Sequence, residues 1–368
     1  MLNRVSPLMN IIDLSRGRKD ALLLRLALLR LAQSLAAFVL LLATAFVASE
    51  PVRAEESSKS QWPAPEKLEL RYQGWSGRVL YPELAEDLGY LAPVKLKWIG
   101  NTISGPQDIQ AAVTGDIDFG GAFNGSILKL AAAHAPIKAV IAYIGTDAQT
   151  SGGLLTLNSS PIQNATDLVG RKIGVNTPGA YQEYLITVYL QKSGVSAEDI
   201  KKVIFVPAPP VNLAQLLRAK QLDAIFLEDI LKEKVLAEGD ARLLVTDYGL
   251  LGSFGYAAYI LTDRFIAQYP GTSRKFVEAT ARAIAWAQST PRDHLLARLE
   301  KILQERNRNE DRTAVRYWKS ASVGGKGGVI RPEEFESYQA WFEANGQLKP
   351  GQIRAADVYT NRFNPFAD

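Results

Sequence analysis

Cysteine is absent from the 368 residues, and histidine and methionine occur only twice each. Without cysteine there can be no disulfide, thiol nucleophile, cysteine-type zinc site or lipid-anchored cysteine. The redox compartment stays open, because a chain without thiols is safe in either. His134 closes an alanine-rich helix and His294 sits at a charged helix start. Neither a paired-histidine metal site nor a Ser-His-Asp arrangement is suggested, and no cofactor is expected. The run Gly324-Gly-Lys-Gly-Gly328 lacks the spacing and the following Ser or Thr of a phosphate loop, and reads as a loop between helices.

Excess charge of either sign is also missing once the first 54 residues are set aside. They carry a basic region (Arg16, Arg18, Lys19, Arg25, Arg30), an uncharged run from Leu31 to Ser49, and small residues at Val52-Arg53-Ala54. This pattern predicts a general secretion signal, 1–54, cleaved after Ala54 in a periplasmic protein. An uncleaved anchor is the alternative, since the run is just long enough to span a bilayer. Met9 is a second candidate start. Removing the segment takes seven basic and three acidic residues from a precursor of net charge +4, leaving zero. The pI of about 9.0 belongs to the precursor and is no argument for nucleic acid.

The remaining length suits two lobes, and the sequence expects a flexible entry, 55–67, then a first lobe 68–150, a second 151–250, and a return to the first with C-terminal helices over 251–368. The most organised stretch is Leu168-Val-Gly-Arg-Lys-Ile-Gly-Val-Asn-Thr-Pro-Gly-Ala-Tyr-Gln-Glu183. It reads as a buried strand, a small-residue loop and a helix, with Thr177 as cap and Pro178 at the first position. Gly179 and Ala180 would let a bound group reach backbone N–H groups at the positive helix end. A second such loop, Gly120 to Ser126, offers Asn124 or Ser126 as the cap. One grammar occurs twice: an amphipathic helix, then Asp and an apolar strand (Asp118-Phe119 and Asp223-Ala224-Ile225-Phe226), consistent with two lobes on a βαβ plan. Glu228-Asp229 follows the second of these strands and reads as solvated or hinge-side rather than acid–base. Trp75, Phe123 and Tyr181 stand beside equivalent loops and together suit a ligand wall.

By Tyr256-Ala-Ala-Tyr-Ile-Leu-Thr-Asp-Arg-Phe-Ile-Ala-Gln-Tyr-Pro270 the pattern is a familiar one. From about Leu68 to Phe363 the chain resembles the solute-binding proteins of ABC importers for nitrate, taurine and aliphatic sulfonates. The resemblance is carried by Gly89-Tyr-Leu91, Gly115-Asp-Ile-Asp118, Asp167-Leu-Val-Gly-Arg-Lys-Ile-Gly-Val175, Leu222-Asp-Ala224 and Asp357-Val-Tyr-Thr-Asn-Arg-Phe363. It implies a two-lobe, type II periplasmic-binding-protein-like α/β fold with ligand in the cleft. It also implies a monomeric, non-enzymatic partner of a permease and its ATPase. Many relatives carry Trp-Glu-Pro or similar where this chain has Leu227-Glu-Asp229. A related branch makes a pyrimidine precursor of thiamine with a cysteine-rich motif, which this chain lacks. The expected ligand is a small organic anion such as an aliphatic sulfonate. The expected donors are Ser76, Arg78, Asn101, Asn124, Ser126, Asn176 and Thr177, with the backbone at Gly179 and Ala180 and the rings of Trp75, Phe123 and Tyr181. Nitrate or a pyrimidine, or an enzyme such as a small dehydratase acting on a carboxylate, are the alternatives.

Overall fold

Val94-Lys-Leu-Lys-Trp-Ile99 alternates apolar and basic side chains, as a strand with one wet face must. In the computed structural model, which describes residues 62–367, it becomes β2 (Lys95–Asn101), parallel to β1 (Glu69–Gly74) with Glu69 opposite Lys95. Beside this pair lies an antiparallel sheet of β3 (Gly120–Phe123), β4 (Ile137–Thr146) and β10 (Phe254–Thr262), in the order β3-β10-β4. Every residue of β10 is buried, which explains its unbroken apolar run.

The chain between β4 and β10 builds a separate five-stranded sheet. It contains β5 (Gly153–Leu157), β6 (Lys172–Val175), β7 (Ile204–Pro207), β8 (Ala224–Leu227) and β9 (Ala241–Thr246), ordered β7-β6-β8-β5-β9. The insertion enters and leaves through neighbours: Gly153 pairs with Thr246, and Thr146 pairs with Phe254. Asp247 lies between these pairs. It accepts hydrogen bonds from Thr146 Oγ1 at 2.8 Å, from Gly152 N at 2.7 Å and from the Tyr181 hydroxyl.

The repeated grammar turns out to be a repeated clamp. Asp118 N donates to Arg71 O while Arg71 N donates to Asp118 Oδ2 at 2.8 Å. Asp223 N donates to Lys172 O while Lys172 N donates to Asp223 Oδ2 at 2.8 Å. Each aspartate thus makes the same two-bond exchange with a strand residue, one in each part of the chain. An Asp supplies both groups, a backbone donor and a side-chain acceptor, which an apolar residue cannot.

Several boundaries differ from expectation. The helix after β3 spans Asn124–Ala132, so Asn124 and Ser126 lie inside it and Phe123 occupies the cap position. The helix after β6 begins at Tyr181, not Pro178, and Ala180 is its cap position. The glycine-rich stretch before β10 contains a short helix, Asp247–Leu251. Glu66 and Lys67, read as the end of a flexible entry, are tied down. The Glu66 carboxylate accepts from Gly271 N and Thr272 N, and Lys67 N donates to Thr272 Oγ1. The signal segment, 1–54, and the entry as far as Gln61 lie outside the described residues. Among the described residues no helix is long and apolar enough to cross a membrane.

Asp108, in the first turn of the helix Gly105–Thr114, fixes that helix to β3 by accepting from Gly121 N at 2.7 Å. Burial pushes its carboxyl up to about 7, against the pull of the Gly121 bond. A carboxyl raised in the fold binds more protons than in the unfolded chain, so stability falls as pH rises from about 4 to about 7. Asp108→Asn removes that group's share of the slope, up to about 1.4 kcal/mol per pH unit. Urea midpoints at pH 4.5 and 7.5 read it; an unchanged pH dependence in the variant is the contrary result.

Candidate functional site

The strands β1, β2, β3, β6, β7 and β8 all end at one place. Their C-terminal loops line a cavity of about 290 Å³. This is where open α/β sheets bind ligands, because loops leaving the carboxyl ends of strands converge there. The first segment contributes Trp75, Ser76 and Arg78 after β1; Asn101 at the end of β2 with Thr102 and Ile103 after it; Phe123; and Tyr143 and Ile144 from β4. The inserted segment contributes Asn176 after β6, Pro209 to Val211 after β7, and Glu228, Ile230 and Leu231 after β8. The walls are predominantly apolar and aromatic with a few polar groups, as small-molecule sites are.

Two of the polar contacts that cross from one segment to the other lie at this cavity. Arg78 Nη1 lies 3.1 Å from Asp229 Oδ2, and Asn176 Nδ2 donates to Ile103 O at 2.9 Å. Asp229 adopts φ 47°, a left-handed conformation that Asp tolerates better than most residues. Such strain clusters at ligand clamps and switches. Burial works against the Arg78 charge, yet the facing Asp229 holds its pKa above the ordinary value.

Beside this pair, Glu228 is 7 % exposed. Its Oε1 accepts from Gln182 Nε2 at 2.6 Å, and Gln182 Oε1 in turn accepts from Asn176 N. Burial pushes the Glu228 carboxyl up to about 7, opposed by the Gln182 hydrogen bond and the Arg78 charge. Adjacent residues were expected to point into solvent or the hinge. Both are instead buried: Glu228, the cap residue of the helix Asp229–Ala237, lines the cavity, and Asp229 is paired with Arg78.

Of the twelve residues singled out from sequence, the structure gathers Trp75, Ser76, Arg78, Asn101, Phe123 and Asn176 around this cavity. The other six lie elsewhere. Asn124 is buried and spends its Nδ2 on Gly255 O and Glu334 O, while Ser126 is buried within the helix. Thr177 Oγ1 donates to Asn176 Oδ1. Gly179 N donates to Glu183 Oε2 at 2.7 Å, so the helix start is satisfied by its own side chain. Ala180 and Tyr181 are fully buried. Tyr181 stacks on Tyr256 with centroids 4.0 Å apart and touches Phe123 at 5.8 Å, which places it behind the wall rather than in it. The Gln182-Glu183 pair was the overlooked signal: side chains in the first turn of a helix can reach back to the N–H groups before it, as Gln182 does to Asn176 N and Glu183 to Gly179 N, and remove free donors. Tyr143 and Ile144 had no signal, being interior residues of a buried strand.

A two-part α/β architecture with its cleft at the carboxyl ends of the strands is that of the periplasmic-binding-protein-like folds. The chain belongs to the NMT1/THI5-like family, whose model matches residues 84–294. No curated protein matches the chain. Among solved structures it is similar to the alkanesulfonate-binding protein SsuA from Xanthomonas axonopodis pv. citri bound to MOPS. Identity is 22% over 81% of this chain and 99% of that one, with TM-score 0.63. The periplasmic nitrate-binding protein NrtA from Synechocystis PCC 6803 is 13% identical over 82% and 88%, with TM-score 0.62. The desulfurization enzyme DszB, as a mutant in complex with biphenyl-2-sulfinic acid, is 20% identical over 80% and 97%, with TM-score 0.54.

Proposed function

We propose that the protein is the periplasmic solute-binding component of an ABC importer, holding a small organic solute in the Trp75–Leu231 cavity and presenting it to a permease with its ATPase. The observation that carries this is the cavity itself: loops of three sheets, two in the first segment and one in the inserted segment, meet there and are bridged by Arg78–Asp229 and Asn176–Ile103. In this reading 68–150 with 251–368 forms one lobe and 151–250 the other, the chain crosses at 147–152 and 247–253, and closure signals the permease. Secretion through the N-terminal segment belongs to the same proposal, as does a monomeric state.

An organic anion such as an aliphatic sulfonate draws support from Arg78 and from the SsuA neighbour. Such a ligand would have to take Arg78 from Asp229 and lie beside Glu228. The aromatic wall of Trp75, Phe123 and Tyr143 favours a solute with a carbon body over nitrate. An enzyme on the same fold is the rival, and DszB shows that the fold can carry one. Any such activity here would proceed without a thiol, since the chain has no cysteine. A thermal-shift screen of sulfonates, carboxylates, nitrate, pyrimidines and amines, with product analysis of each mixture, tests the proposal. Stabilisation by a solute recovered unchanged is expected; conversion of the solute overturns it. Trp75→Ala should weaken the cognate solute by about 1–3 kcal/mol in calorimetry, as truncated aromatic anchors do. Unchanged affinity would move the site away from this cavity.

A further inference from the structure

The charge inventory of the cavity wall does not match an oxyanion. Arg78 is the only cationic side chain in the lining, and its partner is already Asp229 at 3.1 Å. Glu228 is left over. Its Oε1 takes a hydrogen bond from Gln182 and its own backbone N–H also supports the carboxylate, but among the described residues no side chain donates to its Oε2. Glu228 is buried, belongs to the cavity lining and is held in place through Gln182 to the Asn176 loop. A buried carboxylate with spare acceptor capacity is costly unless a donor meets it. The polar neighbours on the packed elements do not supply one. Arg78 is engaged, Asp229 and Asp247 are acidic, and Tyr143, Tyr256 and Tyr338 feel the Glu228 charge without donating a hydrogen bond to it. The aromatic and apolar walls then face a carboxylate oxygen to which no side chain donates.

Resting on the reading that this cavity binds a solute, we propose that Glu228 is its selectivity group, and that the solute carries a protonated amine or amidine on an apolar or aromatic body. The nitrogen donates to Glu228, and the body lies against Trp75, Phe123 and Tyr143. Arg78–Asp229 remains paired and closes the wall as a neutral unit. A bare oxyanion is disfavoured twice over, by two carboxylates nearby and by competition with Asp229 for Arg78.

Binding of a cation requires Glu228 ionised, and burial holds its carboxyl near neutrality, at about 7. Amine affinity should therefore rise roughly tenfold between pH 6 and pH 8, with proton release on binding. The test is titration calorimetry of the purified full-length chain with phenethylamine and benzamidine as cationic probes and hexanesulfonate as the anionic one, in buffers of different ionisation enthalpy. The expected result is amine binding that tightens with pH and falls at least about thirtyfold in Glu228→Gln, a variant that keeps an acceptor for Gln182. Amine affinity indifferent to both pH and Glu228→Gln overturns the role of Glu228. Hexanesulfonate binding without amine binding overturns the inference and leaves the transport reading standing. The parent's pH profile decides the matter even where Glu228→Gln fails to fold.

Discussion

Tyr181→Ala is expected to destabilise the protein by about 3–5 kcal/mol, the range for removing a large aromatic from a close-packed interior. The ring is fully buried and stacks on Tyr256 at 4.0 Å with planes 10° apart, and it meets Phe226 edge-on at 6.0 Å. Its hydroxyl donates to Asp247, where the inserted segment joins the rest of the chain. Truncation therefore opens a cavity and also takes one of the donors from a buried carboxylate. Tyr181→Phe separates the two contributions, keeping the stack and losing only the hydrogen bond, and should cost about 1–2 kcal/mol. Urea midpoints measure both. If Tyr181→Ala lowers ligand affinity while leaving stability intact, the ring faces solute after all.

The second large effect is expected at Glu83, in the helix Tyr81–Asp87. This carboxylate accepts from Tyr72 OH at 2.6 Å, Leu80 N at 2.8 Å and Arg306 Nη1 at 2.8 Å, and stands 2.9 Å from Arg308 Nη2. Glu83, Arg306 and Arg308 are each less than a tenth exposed in their side chains. Glu83→Ala leaves Arg308 in the interior without its carboxylate, and breaking a buried pair in this way costs about 3–5 kcal/mol. Arg306 retains Glu310 at 2.6 Å, so the loss centres on Arg308. Glu83→Gln keeps the shape and should recover less than half of the loss, because charge, not volume, is what the arginines lack. A chemical unfolding midpoint within about 1 kcal/mol of the parent in Glu83→Ala would contradict the network's importance.

The fold was legible in the sequence wherever burial imposed a period. β10 could be read directly from its apolar run; β2 is a strand as its alternation suggested, but Trp98 and Ile99 on it are exposed and its burial does not follow the alternation. The twin Asp strands were visible as a pattern, although their cause, an exchange of two hydrogen bonds with a distant strand residue, is a long-range contact that no local window contains. The site was half legible for a physical reason. Trp75, Arg78, Asn101 and Asn176 follow strand ends, and strand ends face the cleft. Asn124, Gly179 and Tyr181 also follow strand ends, but the donors there are consumed locally by Glu183, or by carbonyls more than a hundred residues away. Propensity cannot tell a free helix start from a satisfied one. The pairing of Arg78 with Asp229 was likewise out of reach, since it joins two segments that only the fold brings together.

The adjacency of Gly153 with Thr246 and of Thr146 with Phe254 gives the chain a modular seam. Each pair is a rung of its own ladder, one in each sheet, so the ends of the inserted segment lie close together in space and so do the chain ends that receive it. A single short peptide could join Thr146 to Phe254 directly, and another could close the segment Gly153–Thr246 on itself as a circle. The seam is thus a natural point for permuting the order of the chain or for splicing in a reporter domain. A reporter placed there would sit beside Asp247, the residue that ties Thr146, Gly152 and Tyr181 together.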